Sequence, residues 1–106
     1  MKKVLLTAMI GVAMGAQVGS AMAGDAQAGA SKAASCMACH GAEGAAPIMP
    51  GYPKLNGQDA VYLEQALTGF KDGSRTGGQA AMMTAQTTSL SAQDIKDIAA
   101  YFASVK

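Results

Sequence analysis

The sequence predicts an all-α domain of three to four short helices, and three observations predict it. Apolar residues recur at helical spacing in two segments, around 59–71 and 95–102. No segment alternates with period two for long enough to argue a strand. Glycine- and proline-rich stretches at 41–57 and 77–78 cut the chain into short pieces.

Each element follows from local chemistry. Residues 1–23 combine a basic start (Lys2, Lys3), an apolar run over 4–16 and the small-x-small triplet Ala21-Met22-Ala23. They read as a cleaved secretory signal. As a retained anchor the run falls short of the roughly 20 apolar residues that span a bilayer, and Gly11, Gly15 and Gln17 interrupt it. Residues 24–106 then form a single domain in the bacterial periplasm. A first helix is expected over about 25–36, alanine-rich, with Asp25 in its first turn where the helix dipole favours a carboxylate. Pro47, Pro50 and Pro53 with four glycines force a loop over 41–57. A second helix is expected over 59–71, carrying Tyr62, Leu63, Ala66, Leu67 and Phe70 on one face and stopping at Gly73. One short helical turn fits 79–85. Ser91, with Asp94 three residues on, opens the last helix, whose stripe is Ile95, Ile98, Ala99 and Phe102.

Composition excludes several functions. The chain has 106 residues, too few for a multidomain enzyme. Without Lys2 and Lys3 the formal charge of +1 becomes −1, and no run of Lys or Arg exists, so no nucleic-acid partner is expected. Half the chain counts as hydrophobic, yet 18 of the 83 residues after the leader are alanine and only 20 are sizeable apolar side chains. A domain this small with so thin a core needs a disulfide, a metal or a cofactor to supplement packing.

Cys36-Met37-Ala38-Cys39-His40 supplies one. The pattern C-x-x-C-H is the attachment signature of c-type haem. Two thiols one turn apart add across the two vinyl groups of one porphyrin, and the adjacent imidazole falls under the iron. A redox disulfide of thioredoxin type would open a helix within a βαβ setting, absent here. A structural zinc site wants four ligands, and the domain holds only these three Cys and His residues. The second axial position calls for a methionine in an electron-transfer haem. Met37 and Met49 lie too near His40 in sequence to reach the opposite haem face, whereas Met82 and Met83 lie more than 40 residues on, beyond the Gly77-Gly78 segment.

From residue 24 to the C-terminus the chain resembles the class I bacterial c-type cytochromes with a single haem, of the cytochrome c-553 type, and the halves of tandem diheme periplasmic cytochromes. The carriers are Gly24-Asp25 with Gly29, residues 36–41, Tyr52-Pro53-Lys54-Leu55 with Gly57-Gln58, Tyr62-Leu63, Phe70-Lys71 with Gly73 and Arg75, Met82-Met83, and Leu90-Ser91 leading into the last helix. The resemblance implies a cytochrome c fold wrapped around one covalently attached haem c, with the N- and C-terminal helices crossing and a loop carrying the ligand methionine. In that family the ligand sits seven residues before the leucine that precedes the last helix, which is Met83, with Met82 as the adjacent alternative. His40 and Met83 would be the axial ligands of the iron, and Cys36 and Cys39 the thioethers. Pro50, or Pro47, would offer its carbonyl to His40 Nδ1. Arg75 would pair with a haem propionate, and Gly29 would admit Tyr101 or Phe102 of the last helix. Leu55, Leu63, Leu67, Leu90 and Ile98 would line the pocket.

The implied function is one-electron transfer between periplasmic redox proteins, such as a membrane cytochrome complex, an oxidase or a reductase, without catalysis and without stable membrane insertion. With little net charge, partner encounter would rely on apolar contact near Ala42, Ile48 and Met49. The rival readings are a haem-bearing electron-accepting subunit of a periplasmic dehydrogenase complex and a five-coordinate protein that binds a small ligand.

Overall fold

The structure, a computed structural model, describes residues 24–106. The signal-peptide expectation falls on residues 1–23, outside the described residues. Five α-helices and one 3-10 turn are present, with no strand among the described residues. No helix among them is long and apolar enough to cross a membrane.

Helix α1 spans Ala26–Lys32. Asp25 caps it rather than lying inside it: its carboxylate accepts from the N–H groups of Gln27 and Ala28 at 2.9 and 3.2 Å, satisfying two otherwise unpaired donors. The single helix expected over 25–36 is instead two. A turn follows α1, in which Ala33 is fully buried, and a one-turn helix α2, Met37–His40, carries the Cys-His motif. That break raises the helix number above the expected three to four. It lets Ala33 enter the core while the next turn packs Cys36 against that core and carries the Cys-His motif. A 3-10 turn at Ala42–Gly44 and an irregular loop lead to α3, Ala60–Asp72, which Asp59 caps and Gly73 ends.

Helix α4 spans Ala80–Thr87, two turns where one was expected, so Met83 sits on a helix and not on a loop. The run Ala80-Ala81-Met82-Met83 is made of strong helix formers, which extends the turn. Helix α5, Ala92–Ser104, begins with a complete capping box: Ser91 Oγ accepts from Asp94 N–H at 3.0 Å, and Asp94 Oδ2 accepts from Ser91 N–H at 2.9 Å.

The core is small, as the composition requires. Ala33, Leu63, Ile98, Ala99 and Phe102 form its buried centre, with Leu55, Leu67, Leu90 and Val105 packed against it. The most extensive helix contact joins α1 to α5, the first and last helices of the domain, and α3 packs on both α4 and α5. Gly29 makes the α1–α5 approach possible. A Cβ at that position would run into the main-chain carbonyl of Asp97 and lie 2.9 Å from Tyr101 Cβ. The close neighbour is thus backbone as well as Tyr101, and not Phe102.

A polar clamp reinforces this contact. Asp97 on α5 is 3% exposed, yet it accepts from Lys32 Nζ at 2.6 Å, from the N–H of Asp25 at 2.9 Å and from Gln93 Nε2 at 2.9 Å. Lys32 also pairs with Asp94 at 2.9 Å. The Lys32 ammonium above all, then the two neutral donors, hold the Asp97 carboxyl down at about 2. Burying a carboxylate is tolerable only when it is paired and hydrogen-bonded in this way.

Candidate functional site

A cavity of about 510 Å³ opens between the Cys-His segment, the 51–58 loop, α3, α4 and α5. That is the size of a pocket for a sizeable organic ligand. Cys36, Cys39, His40, Met83 and Arg75 all line it, and so do the five predicted pocket residues, Leu55, Leu63, Leu67, Leu90 and Ile98, joined by Phe102. The cavity is walled mainly by apolar side chains, and Cys36, Cys39, His40 and Met83 bring sulfur and nitrogen donors to it.

The one-turn helix α2 arranges the motif. Cys36 is its N-cap and Cys39 lies one turn on, so both half-buried thiols come to the same cavity. Burial pushes the Cys36 thiol above its ordinary range. Gly41 ends the helix at φ +86°, and a Cβ there would collide with the carbonyl of Ala46. The chain reverses directly after His40 for that reason.

His40 is 5% exposed, and its Nδ1 lies 2.7 Å from the carbonyl oxygen of Pro53. A carbonyl only accepts, so Nδ1 carries the proton and Nε2 keeps its lone pair for a metal. This corrects the expectation of Pro50, and equally of Pro47. The loop is tied at both ends, Ile48 N–H to Cys39 O at 3.0 Å and Leu55 N–H to Gly44 O at 2.8 Å. The second tie folds residues 52–55 back beside His40, whereas Pro50 stays exposed at the loop tip. The ladder bond that selects Pro53 is tertiary, and no local signal in the sequence marked it.

On the facing side, α4 presents Met83 half-buried and Met82 51% exposed. Thr87, 1% exposed, donates its hydroxyl to the Met83 carbonyl at 2.9 Å, which fixes the backbone of that turn. Arg75 lies at the cavity rim with its guanidinium 4.7 Å from the centre of the Phe70 ring. That cation–π contact steadies the guanidinium at the rim, where its N–H groups can meet a carboxylate. Sequence reasoning missed Thr87, Tyr52 and the Lys32–Asp97 clamp as contributors. An acid three residues from a capping Asp94 reads as one more exposed charge until the α1 packing is known.

Two thiols for covalent attachment, one metal-ready imidazole and one thioether, all opening on a single apolar cavity, match the donor set of an attached, axially ligated haem. Comparison with known proteins points the same way. The family model described as cytochrome c matches residues 19–106. The chain is 51% identical over 82 residues to cytochrome c-554(548) of Halomonas halodenitrificans, covering 77% of this chain and 98% of that one. It is 55% identical over 84 residues to cytochrome c4 of Pseudomonas aeruginosa, covering 79% of this chain but 40% of the relative. Among solved structures, reduced recombinant cytochrome c4 from Pseudomonas stutzeri superposes with a TM-score of 0.69 at 46% identity, covering 79% of this chain and 47% of that one. The chain spans nearly all of the first relative and less than half of the cytochromes c4.

Proposed function

This chain belongs to the cytochrome c family of electron-transfer proteins, whose members carry covalently attached haem c, and from that premise we propose that it is a periplasmic one-electron carrier with a six-coordinate His40/Met83 haem. The observation that carries the reading is the convergence of Cys36, Cys39, His40 and Met83 on one apolar cavity.

Each residue has a distinct task. Cys36 and Cys39 would hold the cofactor through thioether bonds, each thiol adding its sulfur and its hydrogen across one vinyl group. His40 would offer Nε2 to the iron, and the Nδ1–H bond to Pro53 fixes the tautomer and orients the ring. Met83 would supply a neutral thioether from α4, and Arg75 would pair with a propionate. The haem contributes an iron that exchanges one electron between its ferric and ferrous states. With His40 and Met83 both given to the iron, this chain's own donors would hold it and the protein would carry electrons rather than bind a substrate. The leucines, Ile98 and Phe102 exclude water and, with a neutral methionine, favour the less charged ferrous form. Partner proteins are redox donors and acceptors that meet the molecule near Ile48 and Met49, which are 62% and 45% exposed.

The ferric absorption spectrum tests the ligand set. A thioether-to-iron band at the red edge is expected in the wild type, lost in Met83→Ala and kept in Met82→Ala. Ready binding of carbon monoxide, indifferent to both substitutions, would establish a five-coordinate ligand-binding haem instead.

A further inference from the structure

Adjacent residues on an α-helix point about 100° apart, so Met82 and Met83 leave α4 in different directions. Both nonetheless line the cavity, and a methionine with three rotatable bonds can swing through that angle. Helix geometry alone therefore does not choose between two neighbouring thioethers. Their surroundings do differ. Met83 is half-buried, whereas the Sδ of the exposed Met82 accepts a hydrogen bond from the Tyr52 hydroxyl at 3.9 Å.

Tyr52 belongs to the opposite wall. Its N–H donates to the Met49 carbonyl at 3.2 Å, its ring centre lies 6.2 Å from that of His40, and the next residue, Pro53, is the one that receives His40 Nδ1–H. The tyrosine is thus fixed on the His40 side and reaches across to α4.

We propose that Tyr52 selects the axial ligand: its hydroxyl holds the Met82 sulfur at the cavity mouth and leaves Met83 as the thioether free to reach the iron. The proposal rests on the reading that Met83 is that ligand. A sulfur lone pair engaged by an O–H donor is less available to a metal, and because a thioether is a weak acceptor this bond sits at the low end of the net worth of hydrogen bonds, biasing two competing arrangements by roughly twofold. Tyr52 acts here as a positioning residue, with Met82 as its immediate target.

Proton NMR of the ferric haem-loaded protein tests this, because unpaired spin on the iron shifts the methyl resonance of a bound methionine away from the rest. The wild type should show one dominant set of ligand signals, abolished by Met83→Leu. Tyr52→Phe removes only the hydroxyl, and a second set should grow by roughly twofold relative to the first, then vanish in the Tyr52→Phe, Met82→Leu double variant. A single wild-type set in Tyr52→Phe, with or without a lowered melting temperature, would overturn the selecting role while leaving Met83 as the ligand. Signals that survive Met83→Leu and disappear in Met82→Leu would overturn the Met83 reading and the selection with it.

Discussion

The carboxylate of Asp97 receives the main-chain N–H of Asp25, 72 residues earlier in the chain, at 2.9 Å. The same carboxylate holds Lys32 at the other end of α1. One buried side chain therefore fastens both ends of the helix that leads into Cys36, and its charge state controls how firmly α1 lies on α5.

Acid stability should report that clamp. The Asp97 carboxyl, lowered from 3.8 to about 2 by Lys32 and its neighbours, stays ionised in the folded protein where the unfolded chain already binds a proton. Its contribution is thus complete above about pH 4 and fades as pH falls towards about 2. Lys32, raised above 10.5 by Asp97 and Asp94, contributes fully below that value and loses its contribution as pH climbs through the raised one. Asp97→Asn should lower stability at neutral pH by about 1–3 kcal/mol, the cost of stripping a charged acceptor from its donors, and should flatten the acid limb of a melting-temperature profile. An unchanged acid limb would assign the acid sensitivity to other groups.

Gly29→Ala pits two effects against each other. Alanine gains about 1 kcal/mol of helix propensity over glycine, but its Cβ would push on the Asp97 carbonyl and on Tyr101. Backbone cannot yield as a flexible side chain does, and overpacking of this kind costs about 1–3 kcal/mol. Net destabilisation is expected in a denaturant titration, and a stabilised variant would show that α1 and α5 can separate without loss.

Removal of the cofactor should cost the tertiary structure. Only Ala33, Leu63, Ile95, Ile98, Ala99 and Phe102 are buried apolar side chains among the described residues, and the leucines around them face the cavity. A Cys36→Ala, Cys39→Ala variant without haem should melt without a cooperative transition while keeping helical content. A sharp, cooperative melt would mean that these few residues suffice.

Salt should have little influence on electron transfer with a partner. Over residues 24–106 six basic side chains face seven acidic ones, and the exposed apolar residues Ile48 and Met49 lie on the loop that follows the Cys-His helix. Stopped-flow rates should vary by less than about threefold across the range in which the Debye length falls from roughly 30 to 8 Å. A steep decline would point to charge steering.

Much of this molecule was legible in its residues because the signals were local. The 59–71 and 91–102 patterns, the Ser91 cap and the C-x-x-C-H spacing depend on neighbours within a turn or two; the corresponding helices stand where those signals put them, and Cys36, Cys39 and His40 line one cavity. Leu63, Leu67 and Ile98 lie on the apolar faces of their helices, as local periodicity indicates, and packing of those helices with the loops that hold Leu55 and Leu90 brings all five to one cavity. What the sequence could not determine is whatever depends on two distant segments meeting. Pro53 rather than Pro50 receives the His40 proton because Leu55 is tied back to Gly44. The first helix breaks at Lys32 where Ala33 enters the core. Asp97 is a buried clamp and not a surface charge because Asp25 and Lys32 arrive from the other end of the chain. Local periodicity specifies which face of a helix is apolar, and only the packed fold specifies which donor then finds which acceptor.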